Sequence, residues 1–460
     1  MSPSILQLDA VELLAAYKAG TLSPVEVMRA VLDRAEETRA TLNAFAALDA
    51  KGALSAAAKS EKRWRDGAPM GALDGVPLSI KDNIYAAGMP TRFGSKAIAD
   101  SDTNGPDSPS VARLRDSGAI VFGKSTLPDY AHKIVTDSPL TGVTRNPWNL
   151  AHSPGGSSGG ASAAVADGIG PFAVGTDGGG SIRVPAAWTG IYGLKPSFGR
   201  VPHHPRGAFP TVSHVGPMTR TVRDSALMMT AMARPDPRDW YALPYDGADY
   251  SIGLDRGIAG LRVATSIDLG LGIAVDPDVA ASVARAFKAV ESLGASVEAA
   301  HPAEIAGCID VHRVTWSSFS ARLARKLGAR AEMLDPSMQM LVTMGNALPA
   351  SAFVDAVVAR GELGSLINGF FERYDLLMAP VIAFSAPVIA NIDPRSPPIP
   401  GFTSWCNQTG LPAASVPCGV TSSGLPIGLQ IVGGPRQDAR VLQASYAMEQ
   451  ALGRLTPPRA

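Results

Sequence analysis

Residues 153–183 read SPGGSSGGASAAVADGIGPFAVGTDGGGSIR, and the fold is decided there. Two glycine–serine knots, Gly155–Gly160 and Gly178–Ser181, bracket a segment of different character. Ala161–Ala166 is small and helix-compatible, Asp167–Gly170 reads as a stop, and Pro171–Val174 reads as a short buried strand. A loop–helix–strand–loop of this kind brings its ends together, with Ser157 and Ser158 at one and Ser181 at the other. Glycine lets a ligand approach the backbone closely. Three glycines before Ser181 therefore suggest main-chain N–H groups left free to point at an anion. A lone glycine pair is most often a plain turn. Two serine-bearing knots joined by a compact crossover favour chemistry.

On the N-terminal side, Asp9-Ala-Val-Glu12 has capping-box spacing and opens a helix that Gly20 stops. Ser23-Pro24-Val25-Glu26 is a clearer start, after which Val25, Met28, Leu32 and Ala35 recur on one core-facing side. Ala46–Arg65 reads as a further helix, so residues 1–70 form an N-terminal helical region. Gly75–Ile80 is an apolar strand that delivers Lys81-Asp82-Asn83 at its end. Ser110–Ser117 reads as helix and Ala119–Phe122 as another buried strand. Strands alternating with helices indicate an α/β sheet, whose ligands sit at the strands' C-terminal ends. Lys81 and Ser181 both fall at such ends.

On the C-terminal side, residues 236–370 carry mainly helical patterns and are expected to form an insertion that shapes a pocket. Strand-like text returns at Leu376–Ala379, Ala413–Val416 and Ile427–Val432. These strands are expected to rejoin the first sheet, making residues 1–460 one domain. Residues 387–400 are proline-rich and read as an extended loop.

Lys+Arg and Asp+Glu are both 41, and no strongly basic block exists, which argues against nucleic acid or an anionic membrane as partner. Cys308, Cys406 and Cys418 form no CxxC pair, consistent with a reducing compartment. No basic residue precedes the first apolar positions, and no run of 18 apolar residues occurs. The expectation is a cytoplasmic protein without a membrane span.

Serine needs a base to become a nucleophile. That base is a histidine in one class of hydrolase and a lysine held neutral by burial in another. Moving a lysine from its ordinary pKa to about 7 costs about 4–5 kcal/mol, which burial can supply. Lys81, at the end of an apolar strand, is the lysine best placed to lose its water. By base rates alone a strand-end lysine simply reaches solvent.

Gly75–Asn83 (GVPLSIKDN), Ser153–Gly160 (SPGGSSGG) and Thr176–Arg183 (TDGGGSIR) together resemble the amidase signature family, and Gly193–Ser197 (GLKPS) and Gly424–Gly428 (GLPIG) fit it too. The resemblance runs from about residue 5 to 450. It implies one large mixed sheet flanked by helices on both faces. It also implies that Lys81 is the base, Ser157 a bridging serine after a cis peptide bond at Gly156–Ser157, and Ser181 the nucleophile. On this reading Ser181 attacks an amide carbonyl while its proton passes through Ser157 to Lys81. Backbone N–H groups of Gly178, Gly179, Gly180 and Ser181 hold the oxyanion. Ser158, Asp177 and Arg183 are supports. No cofactor or metal is called for. The family commonly has a bulkier residue where Gly178 stands, which implies a looser or wider loop here.

The substrate class implied is a small-molecule amide, anilide or carbamate (urethane), cleaved by a monomer or homodimer. One branch of the family releases ammonia from glutamine for tRNA-dependent amidation, and there the text after Lys124 runs close to TNMDEFAMG. Here it reads STLPDYAHK (Ser125–Lys133), so a stand-alone hydrolase is expected. The alternative is a glutamine-dependent amidotransferase component of the same family. Tyr130 and Trp405 are the aromatics assigned to the pocket, ahead of Trp316 and Phe402.

Gly118–Ser125 satisfies the P-loop pattern letter for letter, but its four inner residues are themselves strand and cannot wrap a phosphate. Gly155-x-Ser157-x-Gly159 matches the nucleophile elbow of α/β-hydrolases, the rival with Ser157 as nucleophile and a later Asp–His pair. An elbow follows a strand directly, whereas Asn146–Pro154 is loop text. His203-His204 lacks the companions of a metal site.

Overall fold

The computed structural model describes residues 5–458. Helix α1 (Ala10–Ala19) opens on the Asp9–Glu12 capping box and closes on Gly20 at φ 67°, and α2 (Pro24–Glu37) opens on the Ser23–Glu26 box. The predicted helix over Ala46–Arg65 divides: Phe45–Leu48 is an edge strand, β1, and α3 (Ala50–Arg65) begins only after Asp49 caps it. Strand β1 pairs with a neighbouring strand, and that tertiary contact outweighs alanine's helix preference.

The chain continues through β2 (Pro77–Lys81), α4 (Pro109–Asp116), β3 (Ile120–Ser125), a small hairpin β4 (Asp137–Ser138) and β5 (Gly142–Val143), α5 (Gly159–Ala166) and β6 (Phe172–Asp177). Then come α6 (Arg183–Thr189), β7 (Tyr192–Lys195), β8 (His214–Thr219), α7 (Val222–Met232), β9 (Arg262–Thr265), α8 (Pro277–Ser292) and β10 (Ser296–Ala299). Three helices follow, α9 (Ile305–Leu327), α10 (Pro336–Ala347) and α11 (Ala350–Arg373). The chain ends with β11 (Leu376–Pro380), α12 (Ser404–Thr409), β12 (Ala413–Val420), β13 (Pro426–Gly433) and α13 (Asp438–Leu452).

Among the described residues, eleven strands form one sheet in the order β1-β3-β2-β6-β8-β7-β12-β13-β11-β9-β10. It is mixed: β2 runs parallel to β3 and β6, whereas β6–β8, β7–β8 and β12–β13 are antiparallel. Alternation along the strands separates its faces. Leu78, Ile80, Phe172, Val174 and Met378 pack with residues of α7, α8 and α13. Ala173 packs with Ile182 and Ala186, and Leu377 and Ala379 pack with Trp405 and Phe370, so helices cover both faces.

The mainly helical insertion expected over 236–370 is smaller than that range. Its first half supplies β9, α8 and β10, which extend the sheet beside β11. Only α9–α11 form a helical cap. The apolar periodicity of α8 is plain in the sequence, while the four-residue strands on either side of it are too short to read. No single helix among the described residues is long and apolar enough to cross a membrane. The pair α10 and α11 reaches that length and apolarity only together, bent by 99°.

Candidate active site

Strands β2 and β6 are parallel neighbours, so their last residues, Lys81 and Asp177, reach the same edge of the sheet. The two glycine–serine knots meet there. The Ser158 N–H donates to the Ser181 carbonyl (3.1 Å) and the Ser158 hydroxyl to the Thr176 carbonyl (3.1 Å), which fastens one knot to the other. The Gly156–Ser157 peptide bond is cis.

The Lys81 side chain is fully buried, and its Nζ lies 2.7 Å from Ser157 Oγ, 2.8 Å from Thr176 Oγ1 and 3.2 Å from the Thr176 carbonyl. Burial drives its pKa well below 10.5, opposed only in part by the Asp177 carboxylate. A neutral amine keeps two N–H donors and one lone pair, which is the state a base requires. Ser157 and Ser181 are 1% and 5% exposed. No hydrogen bond joins these two hydroxyls, so Lys81 and Ser157 form a linked pair and Ser181 stands beside it. Catalytic hydrogen bonds commonly tighten only once substrate is bound.

Asp177 and Arg183 lie behind the loop and are wholly buried. Their contact is two-pronged, with Arg183 Nε to Asp177 Oδ2 and Nη2 to Oδ1, both 3.0 Å. Arg183 also reaches Gln430 Oε1 (2.8 Å), Asn407 Oδ1 (2.7 Å) and the Thr403 carbonyl (3.0 Å). Burial alone would raise the Asp177 pKa, but the guanidinium outweighs it and holds the carboxyl far below its ordinary range. That carboxylate accepts the Gly180 N–H (2.7 Å) and the Ile182 N–H (3.1 Å).

This alters the expected set of oxyanion donors. The Gly180 N–H is spent on Asp177. The N–H groups of Gly178, Gly179 and Ser181 take part in no hydrogen bond among the described residues and remain available. Gly180 itself adopts φ 138°, and a Cβ there would collide with Thr403 Oγ1, so only glycine fits. Thr403 Oγ1 donates to the Gly179 carbonyl (2.6 Å), holding the loop from its other side.

Nor is the loop loose at Gly178. Trp316, from α9, lies against it, and an added Cβ would meet its ring at 3.0 Å. Trp316 stacks on Phe209 (centroids 3.6 Å apart) and donates its indole N–H to the His132 carbonyl (3.0 Å). The cap helix thus supplies the bulk that the loop lacks.

A cavity of about 310 Å³ opens from Ser181 and Gly179. Its walls include Ile309, Trp316, Met340, Leu341 and Met344 of the cap and the 395–401 loop. A second chamber of about 20 Å³ lies on the Ser157 side, bordered by Asn83, Tyr130, Thr176, His203, Phe209 and Trp316. Tyr130 therefore borders the site, beside Ser157. Trp405 does not: it is fully buried against Phe402 and Cys406, with its indole N–H on the Phe402 carbonyl (3.0 Å). Trp316 lines both chambers, yet no local pattern distinguishes it from an ordinary core residue of α9. Thr176 and Asn83 sit inside the quoted motifs, where only their contacts in the fold mark them as part of the site. Asn407 and Gln430 lie more than 220 residues from Arg183 in the chain and carry no local signal.

The two rival sites dissolve. Lys124 is buried, donating to the Ile84 carbonyl and Thr91 Oγ1 (both 2.7 Å) with Asp82 at 3.3 Å, and lies within β3. Ser157 follows loop, not strand, and its hydroxyl is bonded to Lys81 rather than to any histidine.

The Amidase family profile matches residues 26–442. The chain is 35% identical to an acylamidase of Rhodococcus erythropolis over 96% of this chain and 95% of that one. It is 33% identical to a component of the glutamyl-tRNA(Gln) amidotransferase of Lachnospira eligens, over 98% of this chain and 99% of that one. A bacterial aryl acylamidase of the amidase signature family superimposes with a TM-score of 0.88 at 32% identity, covering 96% of each chain. Eleven mixed strands, a buried lysine whose pKa is driven well down, and two serines beside it at the sheet edge all fit one conclusion: this chain belongs to the amidase signature family of amide-hydrolysing enzymes.

Proposed function

We propose that the protein is a stand-alone hydrolase that cleaves the C–N bond of an apolar amide, anilide or carbamate through an acyl-enzyme on Ser181. Neutral Lys81 takes the Ser157 proton while Ser157 takes the Ser181 proton, and Ser181 Oγ bonds to the carbonyl carbon. The oxyanion rests on the N–H groups of Gly178, Gly179 and Ser181, where one such donor is worth about 10²–10³ in rate. The proton returns from Lys81 through Ser157 to the nitrogen, the C–N bond breaks, and water then frees the acid. One observation carries this reading: the Lys81 amine, its pKa driven well below 10.5 by burial, lies 2.7 Å from the Ser157 hydroxyl, with both side chains buried. The largely apolar walls of the Ser181 cavity favour a hydrophobic group on the substrate. All groups in the scheme come from one chain, so it works in a monomer or a homodimer.

Labelling with a fluorophosphonate and mapping the modified peptide tests it. Adduct on Ser181 supports the scheme, adduct on Ser157 supports the elbow, and no adduct defeats both. A panel of amides, anilides and carbamates, with glutamine included as the amidotransferase substrate, then fixes the substrate class.

A further inference from the structure

Two chambers flank the catalytic serines, and they differ in size and in chemistry. The one opening from Ser181 holds about 310 Å³, and the one against Ser157 holds about 20 Å³. Trp316 borders both. A cavity needs roughly 10–15 Å³ of such space to admit one water, and the water needs two or more polar partners. The small chamber meets both conditions.

Its polar lining is specific. Asn83 uses its Nδ2 on Thr176 Oγ1 (3.0 Å), and its Oδ1 is buried without a protein partner among the described residues. His203 is 3% exposed, held through its main-chain N–H on Asp239 Oδ2 (2.9 Å), and its ring Nδ1 is buried without a partner in the same way. Burial, aided by Arg206, lowers the His203 pKa to about 3, so the ring is neutral at working pH and offers a lone pair as well as an N–H. The third polar edge is Ser157, the hydroxyl bonded to Lys81. An apolar guest there would leave Asn83 Oδ1 and His203 Nδ1 buried and unpaired, whereas a water can pair with both.

We infer that the small chamber is the seat of the water that hydrolyses the acyl-enzyme, held by Asn83 Oδ1 and His203 Nδ1 against Ser157. This rests on the acyl-enzyme reading above. The water oxygen bonds to the acyl carbon as one of its protons passes to Ser157 Oγ and the Ser157 proton passes to Lys81. The tetrahedral adduct then collapses, the C–Oγ bond to Ser181 breaks, and Ser181 Oγ regains its proton from Ser157, which is refilled from Lys81. The products are the free acid and the resting enzyme.

The test separates acylation from deacylation in full-length enzyme. The probes are a fluorophosphonate, whose reaction needs no water, and a 4-nitrophenyl ester of an apolar acid in stopped flow. His203→Phe keeps the ring's bulk without its nitrogens, His203→Gln restores a polar group, and Asn83→Leu removes the second holder. The expected result is deacylation slowed at least about tenfold in His203→Phe, with labelling of Ser181 within about threefold of the parent, while Asn83→Leu, which also loses the Nδ2 bond to Thr176, slows deacylation more than labelling. A nitrophenolate burst then appears, His203→Gln recovers part of the rate, and hydroxylamine, a nucleophile that need not use the seat, relieves the defect. Deacylation unchanged in both variants overturns the inference, as does an equal fall in labelling and deacylation. Failure of the parent enzyme to label at Ser181 defeats the acyl-enzyme reading instead, so the two failures are distinct.

Discussion

Lys81 closes a strand of which every residue is buried, and that burial drives its pKa well below 10.5. An amine whose pKa lies well below 10.5 is disabled as a base only at pH values below the lowered pKa. The kcat/KM profile should therefore rise with pH and level off, with its inflection below the ordinary lysine range. Lys81→Ala should lose about 10³-fold or more in kcat/KM together with that limb. A variant that keeps near-parent rates would show the base lies elsewhere. At Gly178 the prediction concerns shape. Gly178→Ala sets a methyl 3.0 Å from the Trp316 ring, and over-packing of this kind costs about 1–3 kcal/mol. Thermal midpoints and kcat of the two single variants and the pair Gly178→Ala with Trp316→Leu should reveal the clash as a favourable coupling in the pair. Only Gly178 is marked by its sequence neighbours, because its partner is 316 − 178 = 138 positions away and arrives by packing.

A polar knot at the start of α10 helps tie the cap helices α9–α11 to the core. Lys133 bonds Asp335 Oδ2 (2.9 Å), Asp335 caps α10 through the Ser337 N–H (2.9 Å), and Asp129 accepts the Asp335 N–H (2.6 Å). His132 Nε2 meets Ser337 Oγ (2.6 Å) beside it. Breaking a buried ion pair typically costs about 3–5 kcal/mol. Asp335→Ala should sit at the lower end, because Lys133 keeps Asp137 at 2.8 Å. Since α10 carries Met340, Leu341 and Met344 into the large cavity, the variant should raise KM for apolar substrates several-fold with a smaller change in kcat. Equal loss of kcat on small and large substrates would contradict a pocket-shaping role. At this scale helices are legible wherever a cap and an apolar stripe coincide, as in α2. Strands β1, β9 and β10 are not, because four residues carry no periodicity of their own and extend only where a neighbouring strand pairs with them.

Across the whole molecule, α1, α7 and α13 are joined on one buried acid cluster. Asp224, near the start of α7, accepts the N–H groups of Ala10 (3.0 Å) and Val11 (3.3 Å), and Glu449, of α13, accepts the Val222 N–H (2.9 Å). Burial, reinforced by Asp9, raises Asp224 to about 7, and burial raises Glu449 to about 7 as well. For an acid whose folded pKa exceeds its unfolded value, the stabilising contribution is full below the unfolded pKa and is lost as pH rises through the folded one. The native state should therefore lose stability between about pH 4 and pH 7 through these two groups. Glu449→Gln retains the acceptor for Val222 and cannot ionise. Its thermal midpoint relative to the parent should climb as pH goes from 5 to 8, and a difference that stays flat would show that Glu449 is already ionised in the fold.

What the amino-acid sequence determined by itself is local: helix starts set by capping boxes, strands set by short apolar runs, and two glycine–serine knots with the backbone freedom of glycine. From these, with the family resemblance, the α/β class was legible, as was the sheet edge where Lys81 and Ser157 meet. Tertiary structure alone decided which N–H groups stay free, since Asp177 claims that of Gly180. It decided that Trp316 and not Trp405 faces the site, and that Asn407 and Gln430 complete the Arg183 network. The physical reason is range: caps and turns act within four residues, whereas a pocket is made by side chains that meet only after the sheet has closed.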